Sequence, residues 1–198
     1  METHDYLIST VSRLADVLGR IPAAADHDPT PCTDFDVAGL RGHVVGWLSA
    51  FTAGFEDPDG RCSDPADTAV AGNGAAHVRK LSRRLEQALP DAAERPLFIG
   101  ADAMPGPMAL SMILWEYQVH GWDLARATDQ DWQPETGGLE QSLAFAPSML
   151  TPDFQGEGKT FGPRIDVGSE ASPLHKLLGL SGRRPDWPAA ADSRKAGQ

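Results

Sequence analysis

Three side chains on two predicted helices have the types and the spacing of a metal site. Glu116 and His120 lie four residues apart, so a helix places them on one face. His43 lies between Leu40 and Trp47 at helical spacing, which places it on the apolar stripe of a different helix. Helical bundles build metal sites in this way, from side chains on facing helices. The pattern therefore predicts a site for one divalent cation.

The donor set indicates which ions suit the site. Two imidazole nitrogens and one carboxylate favour zinc, with nickel, iron or manganese as alternatives. Three protein ligands leave a coordination position open, which is typical of catalytic rather than structural sites. Asp123 lies seven residues after Glu116 on the same helix face. Its preferred role is to orient His120, and a catalytic base or a cap of the local backbone are the alternatives.

The same residues also have a purely structural interpretation. A histidine on an apolar helix face is often a core residue that hydrogen-bonds to a neighbour. An E-x-x-x-H pair is common in helices and can form a hydrogen bond or an ion pair. Spacing alone leaves both interpretations open.

Helical periodicity dominates the chain, and no alternating strand pattern extends beyond a few residues. The second helix has two candidate N-caps, Thr33 and Asp36. Residues 57–73 are rich in Asp, Gly, Pro and Ala and predict a mobile loop, and a second loop is predicted around 96–107. The predicted helices cover residues 5–21, about 36–55, about 75–89, about 108–128 and about 139–149, with a short one at 173–180.

These elements predict an all-α protein, an up-down four-helix bundle with a short C-terminal arm. We assign residues 1–150 to a helical metal-binding bundle. After Pro152 the composition changes to Gly, Pro, Ser and charged residues. We therefore assign residues 151–188 to an arm packed on the bundle, and residues 189–198 to a disordered tail.

Several other residues are candidates for a functional role. Trp115 and Trp122 lie seven residues apart and form a stripe on the predicted outer face, which fits either a homodimer interface or a seat for the arm. His77 could reach the mouth of the bundle from the third helix. Arg126 could steer an anionic substrate, although a surface ion pair is the simpler expectation. Cys32 precedes a helix start, and we interpret it as a packing residue.

The composition excludes several classes of function. The 198 residues suffice for one domain with a hydrophobic core. With 17 basic against 28 acidic residues, the net charge of −11 disfavours nucleic acids and anionic membranes as partners. No apolar run approaches the roughly 18 residues of a membrane span, and no signal peptide is visible. Two cysteines cannot form a disulfide framework. We expect a cytoplasmic protein whose partner is a small-molecule substrate.

Two motifs resemble those of the DinB-like metal-binding bundles of actinobacteria. Residues 29–46 are similar to the motif T-P-C-x-x-W-x-V-x-x-L-x-x-H-V-V-G at the start of their second helix, with Phe35 in place of the tryptophan. Residues 116–128 are similar to E-x-x-x-H-G-W-D-L-A-x-A-T. Residues 161–164 and 177–187 resemble the C-terminal signature of that family. The resemblance covers about residues 5–188.

The same bundle forms the N-terminal domain of mycothiol-dependent maleylpyruvate isomerase. The resemblance therefore implies that His43, Glu116 and His120 bind zinc. It further implies a mycothiol-type, thiol-dependent S-transferase or isomerase that acts on a small electrophile, and it implies a homodimer. A chain of 198 residues leaves no room for the second domain of the isomerase, so we expect a reaction other than maleylpyruvate isomerisation.

Two further functions fit the same sequence. One is a non-catalytic ligand-binding or sensor protein that uses the bundle only to hold a small molecule. The other is a metal-dependent biosynthetic enzyme that catalyses hydrolysis, cyclisation or elimination.

Overall fold

The computed structural model describes residues 1–159 and 161–188, so the expected tail, residues 189–198, lies outside the described residues. The prediction of an all-α bundle with a C-terminal arm is confirmed. The helices in the described residues are α1 (Thr3–Arg20), α2 (Val37–Glu56), α3 (Ala75–Ala92), α4 (Gly106–Ala127), α5 (Thr136–Met149) and α6 (Pro173–Leu180). Two short strands, β1 (Leu97–Ile99) and β2 (Asp102–Met104), lie between α3 and α4.

Local chemistry sets where the site-bearing helices begin. The Asp36 carboxylate accepts a hydrogen bond from the backbone N–H of Gly39 at 2.7 Å, so Asp36 rather than Thr33 caps α2. Helix α4 begins directly after Pro105, and Pro107 lies in its first turn, where a missing N–H costs no helical hydrogen bond. Both helices therefore begin close to the predicted positions.

Helix α4 lies at the centre of the molecule. Helix α1 packs against α3 and α4, and α2 packs against the same two helices. Helix α5 covers α4 and α1, and α6 packs on α5. Helix α4 is consequently buried on almost every side, and its buried residues include polar Gln118 and Asp123. A helix enclosed in this way can bring charged side chains into the interior, where they need partners.

The tryptophan stripe of α4 does not lie on an outer face. Trp115 and Trp122 are 3% and 7% exposed, because α4 is enclosed by neighbouring elements. The indole N–H of Trp115 donates to the hydroxyl of Ser181 at 2.9 Å, and its ring packs on Phe161 with centroids 5.0 Å apart. Trp115 is therefore covered by the arm, as the second of the two interpretations expects.

The predicted loop around 96–107 contains a small antiparallel hairpin instead. Strands β1 and β2 pair through Leu97 and Met104, and Gly100 supplies the positive φ of 63° that the tight turn needs. Phe98 joins the hairpin to the α2–α3 connection, since its N–H donates to the carbonyl of Gly60 at 2.8 Å. Strands of three residues are too short to produce a readable alternation.

The connection between α2 and α3 is partly packed rather than free. Its 3₁₀ turn, Pro65–Asp67, lies directly on α2, where a Cβ at Gly46 would come within 2.7 Å of the Pro65 carbonyl oxygen. The close approach explains a glycine at that position in the middle of a helix. In the part of the chain that the structure describes, no helix is long and apolar enough to cross a bilayer.

Replacing Gly121 by alanine tests the tight packing of α4. A Cβ at this position would lie 2.2 Å from the indole ring of Trp132, so we expect a loss of about 1–3 kcal/mol in unfolding free energy. Gly42→Ala is the matched control, because a Cβ there meets nothing within 4 Å and removing a helical glycine stabilises by about 0.5–1 kcal/mol. Chemical denaturation measures both, and equal effects would contradict the described packing.

Candidate metal centre

The structure brings together the three residues of the predicted site. His43 extends from α2, and Glu116 and His120 extend from adjacent turns of α4. The Nε2 atom of His43 lies 3.3 Å from Oε1 of Glu116, and the two imidazole rings stand edge to face with centroids 5.1 Å apart. One donor atom from each residue lies within 4.8 Å of the other two.

This geometry fits the donor set of a divalent ion. Zinc bonds to nitrogen and carboxylate oxygen measure about 2.0–2.2 Å, which puts neighbouring donors of a tetrahedral site roughly 3.3 Å apart. The His43–Glu116 distance already has this value. The donor nitrogen of His120 lies within 4.8 Å of the other two donor atoms. Each of the three side chains also has a hydrogen-bond partner, since His43 contacts Glu116 and His120 contacts Asp123. The geometry alone therefore fits both a metal site and the structural interpretation.

The three side chains form the floor of a cavity of about 630 Å³, within the usual size range of small-molecule sites. Their side chains remain 23%, 26% and 12% exposed for His43, Glu116 and His120, so each can be reached from the cavity. Apolar side chains make up much of the wall, and polar lining residues come from α2, α4, the α1–α2 connection and the arm. The apolar wall consists of Phe35, Met112, Trp115, Val119, Met149 and Phe161.

Phe35 holds the His43 ring from the α1–α2 connection. The two ring centroids lie 5.0 Å apart at an interplanar angle of 35°. Phe35 stands where the resembling motif has a tryptophan, and it supplies an aromatic contact with the imidazole. The position therefore restricts the rotation of His43 and contributes to the cavity wall.

Asp123 contacts the far side of the His120 ring. Its Oδ2 atom lies 3.1 Å from Nδ1 of His120, and its side chain is fully buried. An imidazole that hydrogen-bonds through Nδ1 presents Nε2 to the cavity with a fixed ring orientation. The other neighbour of Asp123 is Arg183 of the arm, with Nη2 at 3.1 Å from the same oxygen.

A second group of donors lies beside the first. One donor atom each of Cys32, His120 and Asp123 also come within 4.8 Å of one another. The Arg183 guanidinium, however, pairs directly with Asp123 at this place. A fixed positive charge there opposes a second cation, so the His43–Glu116–His120 group is the better candidate.

The arm supplies cavity residues that sequence reasoning missed. Phe161, Lys159 and Arg183 line the cavity from the arm. The signal in the sequence is that Phe161 and Arg183 fall inside the two segments of the C-terminal signature, at 161–164 and 177–187. A sequence motif by itself does not indicate which distant residues its side chains contact.

His77 and Arg126, two candidates from the sequence, are not among the residues that line the cavity. His77, half-buried on α3, is not among the described residues that line the cavity, and neither is any residue of the 57–73 connection. Arg126 donates from Nε to the Trp187 carbonyl at 2.8 Å, so it fastens the end of the arm instead of facing the cavity.

The comparisons with known proteins agree with this architecture. The sequence pattern of a family described as the mycothiol maleylpyruvate isomerase N-terminal domain matches residues 9–125, more than half of the chain. The chain belongs to that family. The match includes His43, Glu116 and His120 and ends before the arm. Membership of a mycothiol-related family is therefore established, and the described residues include a group of side chains that could hold a metal ion.

Relatives among curated proteins carry no assigned activity. The chain is 28% identical over 172 residues to an uncharacterised protein of Mycobacterium tuberculosis strain CDC 1551 / Oshkosh, covering 85% of this chain and 91% of the relative. The same figures hold for an uncharacterised protein of strain ATCC 25618 / H37Rv. No solved structure matches the chain.

The two thiols should react slowly in the folded protein. Burial raises the pKa of Cys62 to about 11, and burial also raises the pKa of Cys32, which is 8% exposed on the cavity wall. A higher pKa leaves less thiolate at pH 8, about 100-fold less for Cys62 at two pKa units. We expect a chromogenic disulfide reagent to titrate both thiols quickly only in denaturant. Rapid labelling of native protein would contradict these pKa directions.

Proposed function

We propose that this protein binds one divalent cation, zinc in preference to nickel, iron or manganese, through His43, Glu116 and His120. We further propose that it uses the site to activate a small thiol of the mycothiol type for S-transfer or isomerisation of a small electrophile. The observation that carries the proposal is the convergence of three donors from two helices on the floor of a ligand-sized cavity.

The charge of the donor set favours an anionic ligand. Glu116 is the one acid among the three donors, while the charge of nearby Asp123 is offset by Arg183. A divalent cation held there leaves a net positive centre, and it supplies a coordination position at which a thiol or water loses its proton near neutral pH. A thiolate fits this centre better than a neutral ligand does.

The protein's own residues provide orientation and a dry environment. Phe35 and Asp123 each restrict one of the imidazole rings. Met112, Trp115 and Val119 line the cavity beside the donors and limit the access of water, which strengthens electrostatic interactions with a bound substrate. Membership of the family described as the mycothiol maleylpyruvate isomerase N-terminal domain supports a thiol as the co-substrate.

Metal content tests the first part of the proposal. We expect one zinc equivalent per chain in protein purified without chelators, and loss of most of it in His43→Ala and Glu116→Ala, since each variant removes one of three ligands. Elemental analysis measures the stoichiometry, and circular dichroism checks that the helices persist.

His77→Ala is the matched control, because His77 lies on α3 away from the cavity lining. It should keep the full zinc equivalent. Metal-free wild-type protein that cannot be loaded with zinc, cobalt or manganese would contradict the proposal and favour the structural interpretation of these residues.

Thiol binding tests the second part. We expect N-acetylcysteine or mycothiol to change the visible and near-ultraviolet absorption of the cobalt-loaded protein, because a thiolate that enters the open position adds a sulfur-to-metal transition. N-acetylserine, which replaces the thiol by a hydroxyl, is the control and should leave the spectrum unchanged. Equal responses to both compounds would contradict a thiol substrate and favour the hydrolytic or ligand-binding alternatives.

A further inference from the structure

The buried carboxylate behind His120 depends on the arm for its counter-charge. Asp123 is fully buried, and a buried carboxylate without a partner strongly destabilises the fold because its charge has lost its water. Arg183 meets both of its oxygens, with Nη2 at 3.1 Å from Oδ2 and Nε at 3.4 Å from Oδ1. The two residues are 60 positions apart in the sequence, so the pair connects the arm to the C-terminal part of α4.

The end of α6 directs Arg183 towards α4. Gly182 has a φ of +77°, and the N–H of Arg183 donates to the Leu178 carbonyl at 2.8 Å, so the chain reverses directly after the helix. Arg183 Nη1 donates to the Ser181 carbonyl at 2.9 Å, which fixes the guanidinium further. The Ser181 hydroxyl in turn accepts from Trp115 of α4. These contacts therefore fix the position of the guanidinium independently of its contact with Asp123.

The electrostatic interaction between Asp123 and Arg183 keeps the guanidinium charged, so the two side chains form a permanent ion pair. Burial by itself lowers the pKa of Arg183, but the neighbouring Asp123 charge and hydrogen bond contribute to a net increase above the ordinary value. The guanidinium thus remains charged in the interior. Its contact with Oδ2 reaches the same oxygen that lies 3.1 Å from Nδ1 of His120.

We propose that Arg183 is a positioning residue for the metal centre, acting through Asp123 to hold the His120 ring in its ligating orientation. This inference rests on the proposed metal site. Because coupling between two sites is reciprocal, the same contact links docking of the arm to cation binding. The arm would then close the cavity most firmly when a cation is bound. Arg183 lies outside residues 9–125, the range that the family pattern matches.

Metal affinity of variants tests the inference. We expect Arg183→Met to weaken Zn²⁺ binding by about 10- to 100-fold, the usual effect of losing support behind a ligand, and Arg183→Lys to recover part of the loss. The cobalt-loaded Arg183→Met protein should also show an altered visible spectrum, because the His120 ring is less restricted. Arg184→Met is the matched control, since Arg184 is exposed and pairs with Asp186.

A second variant keeps the test decisive if Arg183→Met folds poorly. The double variant Asp123→Asn/Arg183→Met removes both buried charges, so no unpaired carboxylate remains to destabilise the fold. We expect it to bind Zn²⁺ as weakly as Asp123→Asn alone, because both substitutions break one connected path. A clear further loss of affinity beyond that of Asp123→Asn would contradict that path.

Proteolysis measures the reciprocal effect on the arm. Saturating Zn²⁺ should slow chymotrypsin cleavage after Phe154 and Phe161 in the wild type and in Arg184→Met, and it should have little effect in Arg183→Met. Wild-type protein that binds no cation overturns the proposed function and this inference together. Equal Zn²⁺ affinity, cobalt spectrum and protection in wild type and Arg183→Met overturns this inference alone.

Discussion

The buried hydrogen bond from the Tyr117 hydroxyl to the Val44 carbonyl, 2.7 Å long, sets the alignment of the two helices that carry the metal donors. Tyr117 directly follows Glu116, and Val44 directly follows His43. A shift of one residue along α4 would move the donors by about 1.5 Å and rotate them by roughly 100°. Burial, with a smaller contribution from Glu116, raises the pKa of Tyr117 well above its ordinary value, so the phenol remains a neutral donor.

The charged groups near the two aligned helices fit a site for a divalent cation. The chain is strongly acidic overall, yet among the described residues the groups that could hold a metal ion contain two carboxylates, Glu116 and Asp123, and Arg183 offsets the second. The remaining single negative charge beside two imidazoles matches a divalent ion that keeps one position for an anionic ligand. The arm contributes the compensating cation, so the bundle and the arm complete the proposed centre together.

The helices and the donor faces could be read from the sequence because both depend on local spacing. The period of α2 placed His43 on an apolar stripe, and the four-residue interval placed Glu116 and His120 on one face. That these faces meet depends on tertiary packing, which the general architecture of helical bundles and the family resemblance indicate but the residue spacing does not. The choice between Asp36 and Thr33 as the cap of α2 required the hydrogen bond itself.

The features that the sequence does not predict depend on contacts between distant parts of the chain or on very short elements. Periodicity places the Trp115 face on the outside of the bundle and leaves open whether a second protomer or the arm covers it, because it cannot reveal how many neighbours enclose a helix. In the structure the arm covers Trp115. The 97–104 hairpin was missed because strands of three residues show no measurable alternation. The contact of Arg183 with Asp123 spans 60 residues and follows from the reversal at Gly182, which no local pattern encodes.

Anomalous diffraction from crystals of the purified protein, recorded on both sides of the zinc absorption edge, tests the central claim most directly. The account predicts one peak per chain, located between the imidazoles of His43 and His120 and the carboxylate of Glu116. A peak among Cys32, His120 and Asp123 would contradict the account, as would zinc-soaked crystals without a peak at the three donors.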